Sequence, residues 1–284
     1  MTEIFNTIMF YPFLNLLLAI YHLLGDNLGL AIMLLAIVIR LAMIPLTKKQ
    51  MGMTQKMASL QPELQKLQKK YANNQKKLSE EQMKLYKKVG YNPLGCIGTL
   101  VPQLIILSAL FGVIKAVSTD SFEGIYPFIK DWIFGSEEVV INTKFLWWNL
   151  KESYNEISQA TGRFSMEALP YFVLALLVGV SQYFSTAFSQ KIQKHGTPPA
   201  TKSKKNEPMS QQDMQEKTSK YMMAALPIMT IFIAFSSLSA LSLYWFIQSF
   251  ALVIQYLLLD IDKSKSFLKS SFLGKIFKKK KEVK

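Results

Sequence analysis

Apolar and polar residues occur in this chain as long blocks rather than at short period. Leu28–Leu46 is nineteen residues, all apolar or small apart from Arg40. At about 1.5 Å rise per residue such a run makes roughly 28 Å of helix, close to the ~30 Å hydrocarbon core of a bilayer. Comparable runs occupy Leu94–Val117, with Pro102 and Gln103 inside it, and Ala168–Phe188. The run Tyr221–Leu259 is too long for one crossing and predicts two, broken around Ser236–Ser239. The pattern predicts an all-α membrane protein, a bundle of five transmembrane helices with spans at 26–47, 92–117 and 168–190 and two within 221–260. Before them, Ile4–Leu24 is apolar but interrupted by Asn6, Tyr11, Pro12, Asn15, Tyr21 and His22. Residues 1–25 therefore read as an amphipathic helix lying in the extracytoplasmic interface, with a sixth span as the alternative.

The polar blocks have their own periodicity. Within 48–91, Met53, Met57, Leu60, Leu64, Leu67 and Tyr71 recur at alternating steps of four and three, a coiled-coil seam. The turn residues Ala72-Asn73-Asn74 and a capping-box spacing at Ser79–Gln82 predict a helical hairpin, interrupted at Pro62 and ending near Gly90. Residues 118–167 are acidic and rich in Phe, Tyr and Trp, which predicts interfacial helices. Residues 191–220 form a Pro-containing, lysine-rich loop expected to be flexible, and 261–284 a basic tail.

Charge then orients the chain. Half of the residues are hydrophobic, yet the formal net charge is +14. In a soluble domain that balance would suggest nucleic acid. Here 27 of the 33 basic residues fall between or after apolar runs, in the hairpin, the 191–220 loop and the tail. The positive-inside rule makes those three cytoplasmic, with the N-terminus outside and the C-terminus inside. The N-terminus lacks a basic region followed by a small-residue cleavage site, which argues against a removable signal peptide. Cys96 is single, His22 and His195 stand alone, and no metal-ligand spacing or cofactor motif occurs.

An arginine near the middle of an apolar helix is disfavoured by about 2.5–3.5 kcal/mol on translocon scales. Arg40 either snorkels towards Lys48 and Lys49 or faces a wet cavity shared with other spans. Polar residues in those spans favour the cavity: Gln103 and Ser108; Ser181, Gln182, Ser185 and Thr186; Thr230, Ser242, Gln248, Ser249 and Gln255. No Asp or Glu lies well inside a span, so the usual relay of a proton-driven carrier is missing. No phosphate-binding Gly-rich loop or nucleophile–base pair stands out, and catalysis loses ground with energy-coupled transport.

Several stretches together resemble the YidC/Oxa/Alb membrane protein insertases. They are GDNLGLAIMLLAIVIRLAMIPLTKKQ, the basic hairpin with LQPELQKLQKKY, NPLG followed by Gln103, and MQEKTSKYMMAALPIM leading into LYWFIQSFALVIQ. The resemblance implies five core helices around a hydrophilic groove open to cytoplasm and lipid, in a bacterial plasma membrane, working without nucleotide hydrolysis. It places Arg40, Gln103, Gln182 and Trp245 at the groove, with Tyr244 and Gln248 as further lining; Tyr244 and Trp245 also suit an aromatic belt. Implied partners are nascent membrane proteins, the ribosome, the Sec translocon, the signal-recognition-particle receptor and the bilayer itself. Lys278, Lys279, Lys280 and Lys281 would meet ribosomal RNA or anionic lipid. Departures from the family pattern are Ala36 in place of a hydroxyl one turn before the arginine, and Leu238-Ser239-Ala240 where Pro-x-Gly is common. The rival classes are a polar-solute channel or transporter, and an assembly scaffold.

Overall fold

A computed structural model describes residues 2–72, 74–88, 90, 97–119, 122–135, 139–194, 221, 225 and 227–259. Its contacts divide the chain into two units. The first comprises Met1–Ala42, Leu100–Phe184 and Ala224–Ala251, and the second Met43–Thr99, Ser185–Met223 and Leu252–Lys284.

The first unit begins with helix α1 (Thr2–Phe5), which runs through a π-helical turn at Asn6–Phe10 into α2 (Tyr11–Leu23). Pro12 sits in the first turn of α2, directly after the π-helical turn that breaks the regular α-helical ladder. A turn with Gly25 at φ 68° and Asp26 at φ 57° leads into α3 (Leu28–Ala42). Asn27 caps that helix, its Oδ1 accepting from the Leu30 N–H at 3.0 Å.

Buried positions recur at helical spacing: Leu14, Leu17 and Leu18 on α2, Ala31, Ile32 and Leu35 on α3, Ala109, Leu110 and Val113 on α7 (Ile97–Ser118). The opposite faces are apolar too. Val173, Leu176, Leu177 and Val180 are exposed on α10 (Leu169–Lys194), and Phe250 on α12 (Ser239–Leu259). A helix apolar on both its packed and its outward face belongs in lipid.

Among the described residues, three helices are long and apolar enough to cross a bilayer: Glu3–Leu23, Leu169–Gln190 and Ser239–Leu259. Leu28–Ala42 with Ile44–Met53 is a fourth if the interrupted pair counts as one span. Leu104–Ser118 and α11 (Pro227–Ser236) are shorter apolar helices. The fold is that of an all-α membrane protein.

The segment expected to hold only interfacial helices is more varied. It contains α8 (Pro127–Phe134), a two-residue antiparallel ladder of β1 (Lys144–Phe145) and β2 (Trp148–Asn149), and α9 (Tyr154–Thr161). A capping box opens α9: Ser153 Oγ accepts from the Glu156 N–H, and the Glu156 carboxylate accepts from the Ser153 N–H.

In the second unit, α4 (Ile44–Ser59), α5 (Gln61–Lys70) and α6 (Gln75–Lys88) follow one another. Leu60, Leu64 and Leu85 form one buried cluster, with Leu67 and Tyr86 against it. Pro62 opens a helix here and the interruption falls at Leu60, because a proline is tolerated in a first helical turn. Ser79 lies inside α6, not at its start. The cap is Asn74, whose Oδ1 accepts from the Lys77 N–H at 3.0 Å. Elsewhere in this unit Met51, Phe188 and Tyr256 pack together, and the buried Gln255 donates to Thr47 Oγ1 at 3.0 Å.

Candidate functional site

The long apolar run around Arg40 is two helices. Pro45 lacks the N–H that would continue a helix, and its ring crowds the carbonyl of residue 41, so α3 ends at Ala42 and α4 starts at Ile44. Arg40 therefore stands in the last turn of α3, not near mid-helix, and is partly buried. The carbonyls of that turn have no intrahelical partner, and a cation there is favoured by about 0.3–1 kcal/mol.

On α12, Tyr244 is fully buried. No hydrogen bond of full geometry reaches its hydroxyl among the described residues; the Arg40 charge and the Gln248 side chain act on it. Gln248 is one turn further on and also buried. The Ser249 hydroxyl lies 3.1 Å from Gln182 Oε1 and 3.0 Å from the Trp245 carbonyl, its one proton shared between the two acceptors, and it ties α10 to α12. Trp245 itself packs with Phe235 and Phe246 against Ala175, Val178 and Ala234.

The Arg40 charge thus reaches Tyr244, one turn from Gln248, while Gln182 meets Ser249 beside Trp245. Gln103 lies on α7 with its side chain outside the described residues, and Lys278, Lys279, Lys280 and Lys281 lie outside them altogether. Among the described residues no group of three or more His, Cys, Asp or Glu could hold a metal.

A second polar cluster, at the N-terminal ends of α10 and α12, escaped the sequence reading. The Tyr171 hydroxyl accepts from the Asn149 N–H at 2.8 Å and donates to Glu152 Oε2 at 3.0 Å. Asn149 Nδ2 donates to Glu152 Oε1 at 2.8 Å, and Ser239 Oγ to the Asn149 carbonyl at 2.9 Å. Asn15 is buried on α2, giving Nδ2 to the Tyr11 and Gly124 carbonyls at 2.8 and 2.9 Å and accepting from the Tyr126 N–H at 2.8 Å. The available signal was an asparagine or tyrosine in an otherwise apolar helix, which asks for a partner.

Apolar outward faces, a guanidinium at the end of one apolar helix and buried amides and hydroxyls on others define a polytopic helical membrane protein with a polar interior. A family model described as "60Kd inner membrane protein" matches residues 19–265, and the chain belongs to that family, the YidC/Oxa family. It is 30% identical over 256 residues to "Membrane protein insertase YidC" of Wolinella succinogenes, covering 90% of this chain and 38% of that protein. It is 31% identical over 263 residues to "Membrane protein insertase YidC 2" of Bacillus anthracis, covering 90% of this chain and 82% of the other. The chain therefore spans well under half of the first relative and most of the second.

Proposed function

We propose that this chain is a membrane protein insertase, acting through a hydrophilic groove that holds Arg40. The observation that carries the reading is a permanent cation at the broken end of an apolar helix, its charge reaching the buried Tyr244 of α12. Its relatives' names point the same way. A polar hollow reaching into the bilayer shortens the hydrocarbon path, so fewer polar groups of a translocating segment lose water at once. Arg40 draws acidic residues of that segment, and its charge survives partial desolvation. The apolar part of the substrate leaves along α10 and α12, driven by burial of roughly twenty residues in lipid and without nucleotide. Gln182, Trp245 and Gln103 line the path in this reading.

The reading includes five crossings, with α4 to α6 and the basic tail cytoplasmic. The N-terminal helix lies in the interface. Asn15, at its middle, bonds to Gly124 and Tyr126, and Tyr21, near its end, accepts from the Asn142 N–H at 3.0 Å. A helix held at its middle and its end by loop residues runs along that loop layer. Nascent membrane proteins are the substrates. The ribosome, through the tail, the Sec translocon and the signal-recognition-particle receptor are the further partners.

The test is insertion of a substrate with an acidic translocated tail into proteoliposomes. Arg40→Ala lowers insertion severalfold while the protein accumulates normally, and Arg40→Lys retains part of it because charge persists without the planar fork. Undiminished insertion by Arg40→Ala refutes the electrostatic role. Flux of small polar solutes through the same vesicles would point instead to a channel.

A further inference from the structure

We infer that the Leu146–Trp147 turn is a lipid anchor, seated at the headgroup–acyl boundary of the leaflet where α3, α10 and α12 begin. The inference rests on the membrane class of the fold and not on the insertase reading.

Depth comes first. Phe145 lies on Gly29, the second residue of α3, so closely that a Cβ there would overlap its ring. Tyr171, the third residue of α10, is bonded to Asn149 and Glu152. Ser239, the first residue of α12, donates through its N–H to the Glu152 carbonyl at 2.9 Å, and the Ala240 N–H donates to the Leu150 carbonyl at 3.2 Å. Three apolar helices therefore start at one loop, and two of them are full candidate spans. Starts of spans lie where hydrocarbon gives way to headgroups, which fixes residues 145–152 at that level.

What the loop presents there is apolar. Leu146 is 70% exposed and Trp147 73% exposed, on a turn whose neighbours Phe145 and Trp148 stack at 6.3 Å. Leu146 has φ 51°, a left-handed conformation that costs a branched residue about 1–2 kcal/mol and is held by the ladder on either side. The turn thus spends backbone strain to point two large apolar side chains outward. An indole is favoured at the interface, where its ring meets acyl chain and its N–H meets water or ester oxygen. Lys144, exposed on β1, supplies an ammonium that suits lipid phosphate. A water-soluble partner would have to bind at the same depth and displace lipid already there. The anchor holds the starts of three helices at constant height while the rest of the bundle works.

The experiment uses the full chain with Cys96→Ser and Leu146→Cys, labelled with an environment-sensitive fluorophore and reconstituted in phosphatidylcholine–phosphatidylglycerol vesicles. The emission is expected to shift to the blue relative to the same label on free cysteine in buffer. A nitroxide high on the acyl chain should quench it severalfold more than one at the chain end, and more than aqueous iodide. Trp147→Cys, also at an exposed site, repeats the measurement if the first variant does not reconstitute. Quenching by iodide at the free-cysteine level, without quenching by lipid nitroxide, overturns the anchor. Protection from both quenchers also overturns it, because a protein surface or a second copy then covers the turn.

Discussion

Tyr171→Phe removes one oxygen from the start of α10 and tests whether the loop clasp stabilises the helix ends. The hydroxyl accepts from the Asn149 N–H at 2.8 Å and donates to Glu152 Oε2 at 3.0 Å, on a side chain only 6% exposed. A neutral hydrogen bond contributes about 0.5–1.5 kcal/mol net and one to a charged group about 1.5–3, so the pair is worth roughly 2–4 kcal/mol. The ring keeps its packing, so almost no cavity term enters. Reversible unfolding in mixed micelles measures the loss. Tyr183→Phe, on the exposed face of the same helix, is the reference and should move stability by less than about 0.5 kcal/mol. A cycle with Glu152→Gln isolates the pair, and its coupling energy should exceed about 0.5 kcal/mol. If Tyr171→Phe falls within about 0.5 kcal/mol of the reference, the clasp contributes nothing and the reasoning fails.

Asn15→Ala leaves the Gly124 carbonyl and the Tyr126 N–H without their partner and should destabilise by about 2–4 kcal/mol, read in the same micelle assay and as faster proteolysis of the 122–126 loop. Gly29→Ala places a methyl in the Phe145 ring and should cost about 1–3 kcal/mol, with Phe145→Leu in the same chain recovering part of it; equal losses in the single and double variants would show no close approach. On α6, the Lys84 ammonium, 2.7 Å from the Glu81 carboxylate, donates a hydrogen bond that holds the Glu81 pKa below the ordinary glutamate value. A carboxylate lowered in the folded state adds stability above its unfolded pKa and loses it as pH falls through the folded one. Carbon-detected titration of Glu81 should show that depression, and Lys84→Ala should remove most of it, leaving the smaller effects of Lys70 and Lys77.

Helical class and membrane location were legible because apolar runs of about twenty residues allow little else. What was not legible is where those runs break. Leu28–Leu46 reads as one span until Pro45 is given its cost, and a proline's effect depends on whether it falls in a helix interior or a first turn. Pro12, Pro45 and Pro62 each stand second in their helix; the helices before Pro45 and Pro62 end, at Ala42 and Ser59, whereas the helix before Pro12 continues through a π-helical turn. Capping failed for a related reason: Ser79 has the right spacing to Gln82, but Asn74 reaches the same helix first. Polar residues such as Gln182, Tyr244 and Gln248 stand out in apolar runs, but the pairing of Gln182 with Ser249 does not. Which faces of α11 and α12 meet α10 is set by the packing of Ile231 on Gly179 and of Trp245 on the Ala175, Val178 and Ala234 cluster, contacts that no single-residue pattern encodes. The Asn149–Glu152–Tyr171 clasp was invisible because its members lie in a loop and a helix whose ends sequence places only loosely.

The break at Met43 changes how the cost of Arg40 is met. In an unbroken span the guanidinium would face hydrocarbon on a helix whose carbonyls are all engaged, and the penalty would fall wholly on the surroundings. At the end of α3 the last carbonyls are free acceptors and carry the negative end of the helix dipole, so the backbone itself offsets part of the desolvation. That favours the cation, and α3 itself carries no Asp or Glu. For a site proposed to attract acidic segments of a substrate, where the helix ends matters as much as the identity of the lining amides. It makes the proline, which interrupts the helix, as much a part of the site as the arginine.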